Sequence, residues 1–166
     1  MRATDLLRDD HRKVHALFLE FEALPPDETA GRQTLFGQIV EELSVHAEAE
    51  EETFYPAMRA VSRRIDDAEA GHEHLRAMIA EVEGGDPGST EFAAGVRLIK
   101  QIVLAHVMEE EGGIFLDAEA RLGAGELERL GAELAQRKQA LQSARPEGAR
   151  AESRAQAGRA RSKKIA

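Results

Sequence analysis

Apolar side chains recur along this chain at helical spacing in five separate stripes. The first, Leu7, Val14, Phe18 and Phe21, predicts a helix over about 4–24, stopped by Pro25-Pro26. The second, Phe36, Ile39, Leu43, Ala47 and Phe54, predicts one over about 27–55, with Pro56 kinking or ending it and a short continuation through Val61. Ala68, Leu75, Ile79 and Val82 mark a third over about 64–83. Gly84-Gly85-Asp86-Pro87-Gly88 then breaks the chain, and Ser89 or Thr90 can cap a fourth helix running to about 122. Its stripe is Val96, Ile99, Val103 and Ile114, and Gly112-Gly113 weakens it. Leu127, Leu130, Leu134 and Leu141 give a fifth over about 125–142. Long amphipathic helices with short connections predict an all-α fold, an up-down-up-down four-helix bundle with an additional C-terminal helix. The domain reading is a bundle over 1–122, an accessory helix over 123–143 and a basic, disordered tail over 144–166.

Polar residues interrupt two of these stripes in the same way. His46-Ala47-Glu48-Ala49-Glu50-Glu51 and His106-Val107-Met108-Glu109-Glu110-Glu111 are one phrase, H-x-x-x-E-E, repeated sixty positions apart. The echo extends upstream: His11/His46/Glu50 maps onto His72/His106/Glu110 with offsets of 61, 60 and 60. On a helical wheel with His46 at zero, Ile39 falls at about 20°, Glu50 at about 40° and Leu43 at about 60°. With His106 at zero, Ile99, Glu110 and Val103 take the same angles. Glu50 and Glu110 therefore sit inside the apolar stripes, while Glu51 and Glu111 fall off them, facing solvent or backing the ligands. No lysine or arginine shares the inner stripes of helices two and four. A carboxylate in a bundle core costs several kcal/mol unless it is neutralised, protonated or bound to a cation. A metal bridged by the carboxylates and capped by the imidazoles meets that need, and the repeat suggests two ions or one held symmetrically. The alternative is a pair of protonated or solvent-reaching glutamates among core histidines. On helices one and three, His11 and His72 lie nearer the stripes than His15 and His74, which read as surface or supporting histidines.

Composition narrows the chemistry. The chain of 166 residues contains no cysteine, so any metal is held by nitrogen and oxygen, which suits iron, manganese or zinc. No apolar run is long enough to span a bilayer, and the charged N-terminus lacks the apolar core of a signal peptide. A cytoplasmic protein without membrane contact is expected. The net charge of −9 is uneven: residues 1–144 hold 15 Lys/Arg against 29 Asp/Glu, a balance of −14, and residues 145–166 hold seven against two. An acidic body argues against nucleic acid on the folded part, and the basic tail is the candidate contact for an anionic partner.

The set Asp10-His11-Arg12, His46-x-x-x-Glu50-Glu51 with Phe54-Tyr55-Pro56, His72-Glu73 and His106-x-x-x-Glu110-Glu111 resembles the hemerythrin family, in its HHE cation-binding branch, over about 4–122. The resemblance implies a non-haem di-iron centre in a four-helix bundle, two iron ions with an oxo or hydroxo bridge. Glu50 and Glu110 would bridge, and His11, His46, His72 and His106 would cap the irons. Oxygen-carrying hemerythrins use H-x-x-x-H on the third helix, where this chain has Arg76, and space the acid of the last helix differently. That departure argues against reversible oxygen carriage. It leaves open coordination positions for water or a small ligand, with His15, His74 and Tyr55 as candidates to fill one. The expected function is a di-iron protein that binds or senses oxygen, nitric oxide or iron, a metal-binding protein rather than a dedicated enzyme. A peroxide- or NO-detoxifying enzyme and a metal-free helical interaction module are the alternatives. No phosphate-binding loop or nucleophile elbow is present.

Overall fold

The computed structural model describes residues 1–144. The tail predicted to begin at 144 lies, beyond Ala144, outside the described residues. Five rods follow the five stripes. Helix α1 spans Ala3–Ala23 and α2 spans Thr29–Ala49. A π turn, Glu50–Phe54, joins α2 to the short α3, Tyr55–Met58. Helix α4 spans Ile65–Val82 and α5 spans Thr90–Glu109. A second π turn, Glu110–Ile114, leads into α6, Phe115–Arg121, and α7 spans Ala124–Ala144. Helix α1 packs along α2, α4 along α5, and α7 lies against α1 and α2. The fold is all-α, an up-down-up-down four-helix bundle with an additional C-terminal helix.

Local chemistry explains the ends. Pro25 and Pro26 follow Leu24, the cap residue of α1. Ser89 is the cap of α5: its hydroxyl accepts from the Phe92 N–H at 3.0 Å. Gly84, at φ 82°, takes the left-handed turn that stops α4. The second rod continues past Pro56 only to Met58. Pro56 falls in the first turn of α3, after the π turn, where a helix tolerates a missing N–H.

The core divides into two apolar clusters. One gathers Leu7, Phe54, Tyr55, Met58, Phe115 and the α7 residues Leu127, Leu130 and Leu134. The other gathers Val14, Phe18, Phe21, Phe36, Ile39, Ile79, Phe92 and Ile99. Each large buried side chain contributes about 1.5–3 kcal/mol relative to exposure. Helix α7 is part of the first cluster, and at Gly131 it passes so close to the backbone of Met1 and Ala3 that a Cβ would collide there. On α1, His11 sits between Leu7 of the first cluster and Val14 of the second, so the polar residues of the repeats form a layer between two apolar blocks. Among the described residues, no helix is long and apolar enough to cross a membrane.

Candidate metal centre

Four helical rods each send one imidazole to the middle of the bundle: His11 from α1, His46 from α2, His72 from α4 and His106 from α5. Glu50 and Glu110 open the two π turns and are 0% exposed. The inward nitrogens crowd these carboxylates. His46 Nε2 lies 3.1 Å and His72 Nε2 3.5 Å from Glu50 Oε2. His11 Nε2 lies 3.2 Å and His106 Nε2 3.5 Å from Glu110 Oε2. Three overlapping triads result, His11/His46/Glu110, His46/Glu50/His72 and Glu50/His106/Glu110, with ligand atoms in each within 4.8 Å of one another.

The outer nitrogens decide what the inner ones offer. His11 Nδ1 is 2.8 Å from Glu111 Oε1, and His72 Nδ1 is 2.9 Å from Glu51 Oε1, which also accepts from Arg76 at 2.7 Å. Each Nδ1–H donates outward to a carboxylate, which fixes the tautomer and leaves a lone pair on Nε2 pointing inward. Those lone pairs then face carboxylate oxygens, acceptor against acceptor. His11 Nε2, His106 Nε2, Glu50 Oε1 and Glu110 Oε2 are buried without a hydrogen-bond partner among the described residues. Such an arrangement is stable around a cation and costly without one. The donor set of nitrogen and oxygen fits iron, manganese or zinc.

Without a cation the histidines themselves carry the compensating protons. Burial disfavours a charged His46, but Glu50, Asp10 and Glu110 outweigh it and raise its pKa well above the usual value. Burial, together with His106 and His46, pulls His72 down to about 4 against the pull of Glu50 and Glu110. Burial alone would raise Glu110, yet His11, His106 and His46 hold it below the usual carboxylate range. The phenol of Tyr55 is pushed upward by burial and by both carboxylates, so it stays protonated and donates to Glu110 Oε1 at 2.6 Å. Tyr55 Oη is also 3.4 Å from Glu50 Oε2 and 3.5 Å from His72 Nε2.

The structure sorts the outer candidates. Glu51 and Glu111 back the histidines, and they do so crosswise, each repeat's second glutamate holding the other repeat's upstream histidine. Tyr55 reaches the centre. His15 and His74, candidates for an open position, are exposed and stay out of the cluster, because each points off the inner stripe of its helix. Two supports were not visible in the sequence pattern. Asp10 Oδ2 is 3.4 Å from His46 Nδ1, and Lys138 of α7 holds the other oxygen of Asp10. Asp10 occupies the position that maps onto Gly71 in the second repeat, where a Cβ would lie 2.9 Å from His106 Nδ1, so a carboxylate cannot stand behind His106 in the same way.

The π turns explain why a wheel misses Tyr55. In an ideal helix Tyr55, nine residues past His46, points about 180° away from it. The N–H of Tyr55 bonds to the Glu50 carbonyl, five residues back, and that of Phe115 bonds to the Glu110 carbonyl in the same way. One extra residue per turn brings both rings back to the core side. Tyr55 thus corresponds to Phe115, not Phe54: Tyr55 stacks on His72 at 5.5 Å and Phe115 on His11 at 5.8 Å.

Comparison with known proteins agrees with this geometry. The model of the hemerythrin HHE cation binding domain matches residues 2–116. A Nostoc protein named DNA nickase is 32% identical over 144 residues, 86% of this chain, and the chain spans only 40% of that relative's length. An uncharacterized protein of Mycobacterium tuberculosis is 25% identical over 82% of this chain and 85% of its own. The crystal structure of a hemerythrin HHE cation binding domain-containing protein from Mycobacterium kansasii superposes with a TM-score of 0.78 at 24% identity, covering 86% of this chain and 88% of that one. A repeated His/Glu layer inside a four-helix bundle, matched by that model over most of its helices, makes this chain a member of the hemerythrin HHE cation-binding family.

Proposed function

We propose that the chain is a non-haem di-iron protein whose centre binds a small diatomic ligand or peroxide. The observation that carries this is the set of buried, unpartnered lone pairs converging from two half-sites. Glu50 and Glu110 would bridge, and His11, His46, His72 and His106 would be the terminal ligands. Bound iron would supply redox-active binding of oxygen, nitric oxide or peroxide. Beside the centre lies a cavity of about 20 Å³ lined by the four histidines and by Val14, Leu43, Leu75, Val103 and Val107. It has room for about one water-sized molecule, which favours a diatomic over any larger substrate. The apolar walls exclude water, and the outer carboxylates hold each imidazole in its orientation.

A second reading, detoxification of peroxide or nitric oxide, is favoured by Tyr55. Its hydroxyl lies within hydrogen-bonding distance of both carboxylates, so it can supply a proton at Oη to a reacting ligand. The reading does not extend to DNA cleavage, the activity in the name of the longer Nostoc relative, because an acidic body of −14 over residues 1–144 repels a phosphate backbone.

Metal analysis after aerobic iron loading, with an absorption spectrum, tests the main reading. About two irons per chain and a di-ferric charge-transfer band are expected; less than about half a metal per chain sinks it and favours a metal-free interaction module. Rapid, repeated peroxide breakdown by the loaded protein would select the enzyme, and a stable adduct without turnover the binder or sensor.

A further inference from the structure

At the far end of the bundle a cation is buried without a partner. Arg32, in the first turn of α2, is 4% exposed, and its guanidinium carbon stands 5.0 Å from the centre of the Phe21 ring. Its Nε has no hydrogen-bond partner, and neither Arg32 nor Arg97 is paired with a carboxylate among the described residues. Arg32 lies fourteen residues before His46, about 21 Å along the helix axis at 1.5 Å per residue, so the metal centre does not explain it. Burying an uncompensated charge costs several kcal/mol, and stacking on one ring returns about 2 kcal/mol, part of that cost.

Arg32 opens into a cleft of about 440 Å³, formed where the α1–α2 turn meets the α4–α5 loop. The two loops touch: a Cβ on Gly88 would lie 3.1 Å from Thr29 Cγ2 and 3.4 Å from the Pro26 carbonyl. Helix α5 begins in this cleft. Ser89 Oγ already serves the Phe92 N–H, so the first-turn amide of Thr90, a residue that lines the cleft and has no helix carbonyl to bond, remains to meet a ligand. Arg97 also lines the cleft. Glu22, at the rim, is held by Lys100 at 2.8 Å.

We propose that this cleft is an oxyanion site for a phosphate group, held by Arg32, Arg97 and the N-terminus of α5. Two guanidinium groups, one on α2 and one on α5, and the terminus of α5 line the same cleft, which suits a tetrahedral dianion with several acceptor oxygens better than a planar monoanionic carboxylate. This site is separate from the iron-binding reading and stands or falls without it.

Calorimetric titration of the full, iron-loaded chain with inorganic phosphate tests it, with ionic strength held constant by sodium chloride. Saturable one-site binding is expected, weakened about tenfold or more in Arg32→Gln and several-fold in Arg97→Gln. Arg97 is exposed, so its variant keeps the fold even if Arg32→Gln does not. The iron absorption should be unchanged in Arg97→Gln. The proposal is overturned if phosphate gives no saturable binding, if both variants bind it like the parent chain (as they would if phosphate sat on the iron), or if acetate binds as tightly as phosphate.

Discussion

The half-site on α1 and α2 and the half-site on α4 and α5 present the same ligand types in the same order, but what stands behind the ligands differs. Behind His46 is Asp10, and behind Asp10 is Lys138 of α7. Behind His106 is Gly71, which has no side chain. The ring stacked on His72 is Tyr55, with a hydroxyl that donates to Glu110; the ring stacked on His11 is Phe115, with none. The glutamate behind His72 is pinned by Arg76, and the one behind His11 is 36% exposed. The chain thus repeats its donors and varies their supports. Supports set the basicity and orientation of a ligating imidazole, so two ions held by these ligands would not be equivalent.

The largest effect should come from removing what both halves share. Chelation is expected to lower the melting temperature by about 10 °C, since an ion at a thousandfold its dissociation constant adds about 4 kcal/mol. An unchanged melting temperature by calorimetry would show that Glu50 and Glu110 tolerate each other without a cation. Next comes Asp10→Asn, which strips the support from one half only. Metal affinity at one of two positions should fall about ten- to a hundredfold, so competition with a chelator becomes biphasic. A uniform loss from both positions would show that the halves behave as one. Tyr55→Phe makes the two stacked rings alike and removes a buried hydrogen bond. A loss of about 1 kcal/mol is expected in thermal unfolding, and two bound ions, if iron, should become more alike by Mössbauer spectroscopy. A chain as stable as before, with its two iron signals as unlike as before, would remove Tyr55 from the account. The smallest effect belongs to Lys138→Ala, one contact further out. About a two- to threefold weakening at the Asp10 position is expected in the same chelator competition, and none at the other.

Much of this could be read from the chain because helices have one period. Stripes such as Phe36, Ile39 and Leu43 place Glu50 inward by simple angle, and Val96, Ile99 and Val103 do the same for Glu110. The angle fails after each glutamate, where the period changes. Tyr55 then lands on the core side although a constant 100° per residue sends it outward, and only the coincidence of two bulky rings nine residues past each histidine hints at it. Glu51 sits about 140° from His46 on a wheel and looks like a surface residue. Its role depends on His72, a neighbour in space and not on its own helix. Lys138 is further from view still, 128 positions from Asp10.

The two π turns carry a consequence for how this protein can change by gain or loss of residues. Each is one residue longer than the α-helix around it would need, and such turns are less favourable than the regular helix that would replace them. Deleting Glu52, an exposed residue of the first turn, should let α2 run straight into α3 with a better backbone ladder. The same deletion would rotate Tyr55 away from Glu110. The expected product has a more regular helix but a weakened centre, and it loses both the Tyr55–Glu110 hydrogen bond and the Glu52–Arg137 ion pair, so the irregular turn is favoured by what it positions and not by its own backbone.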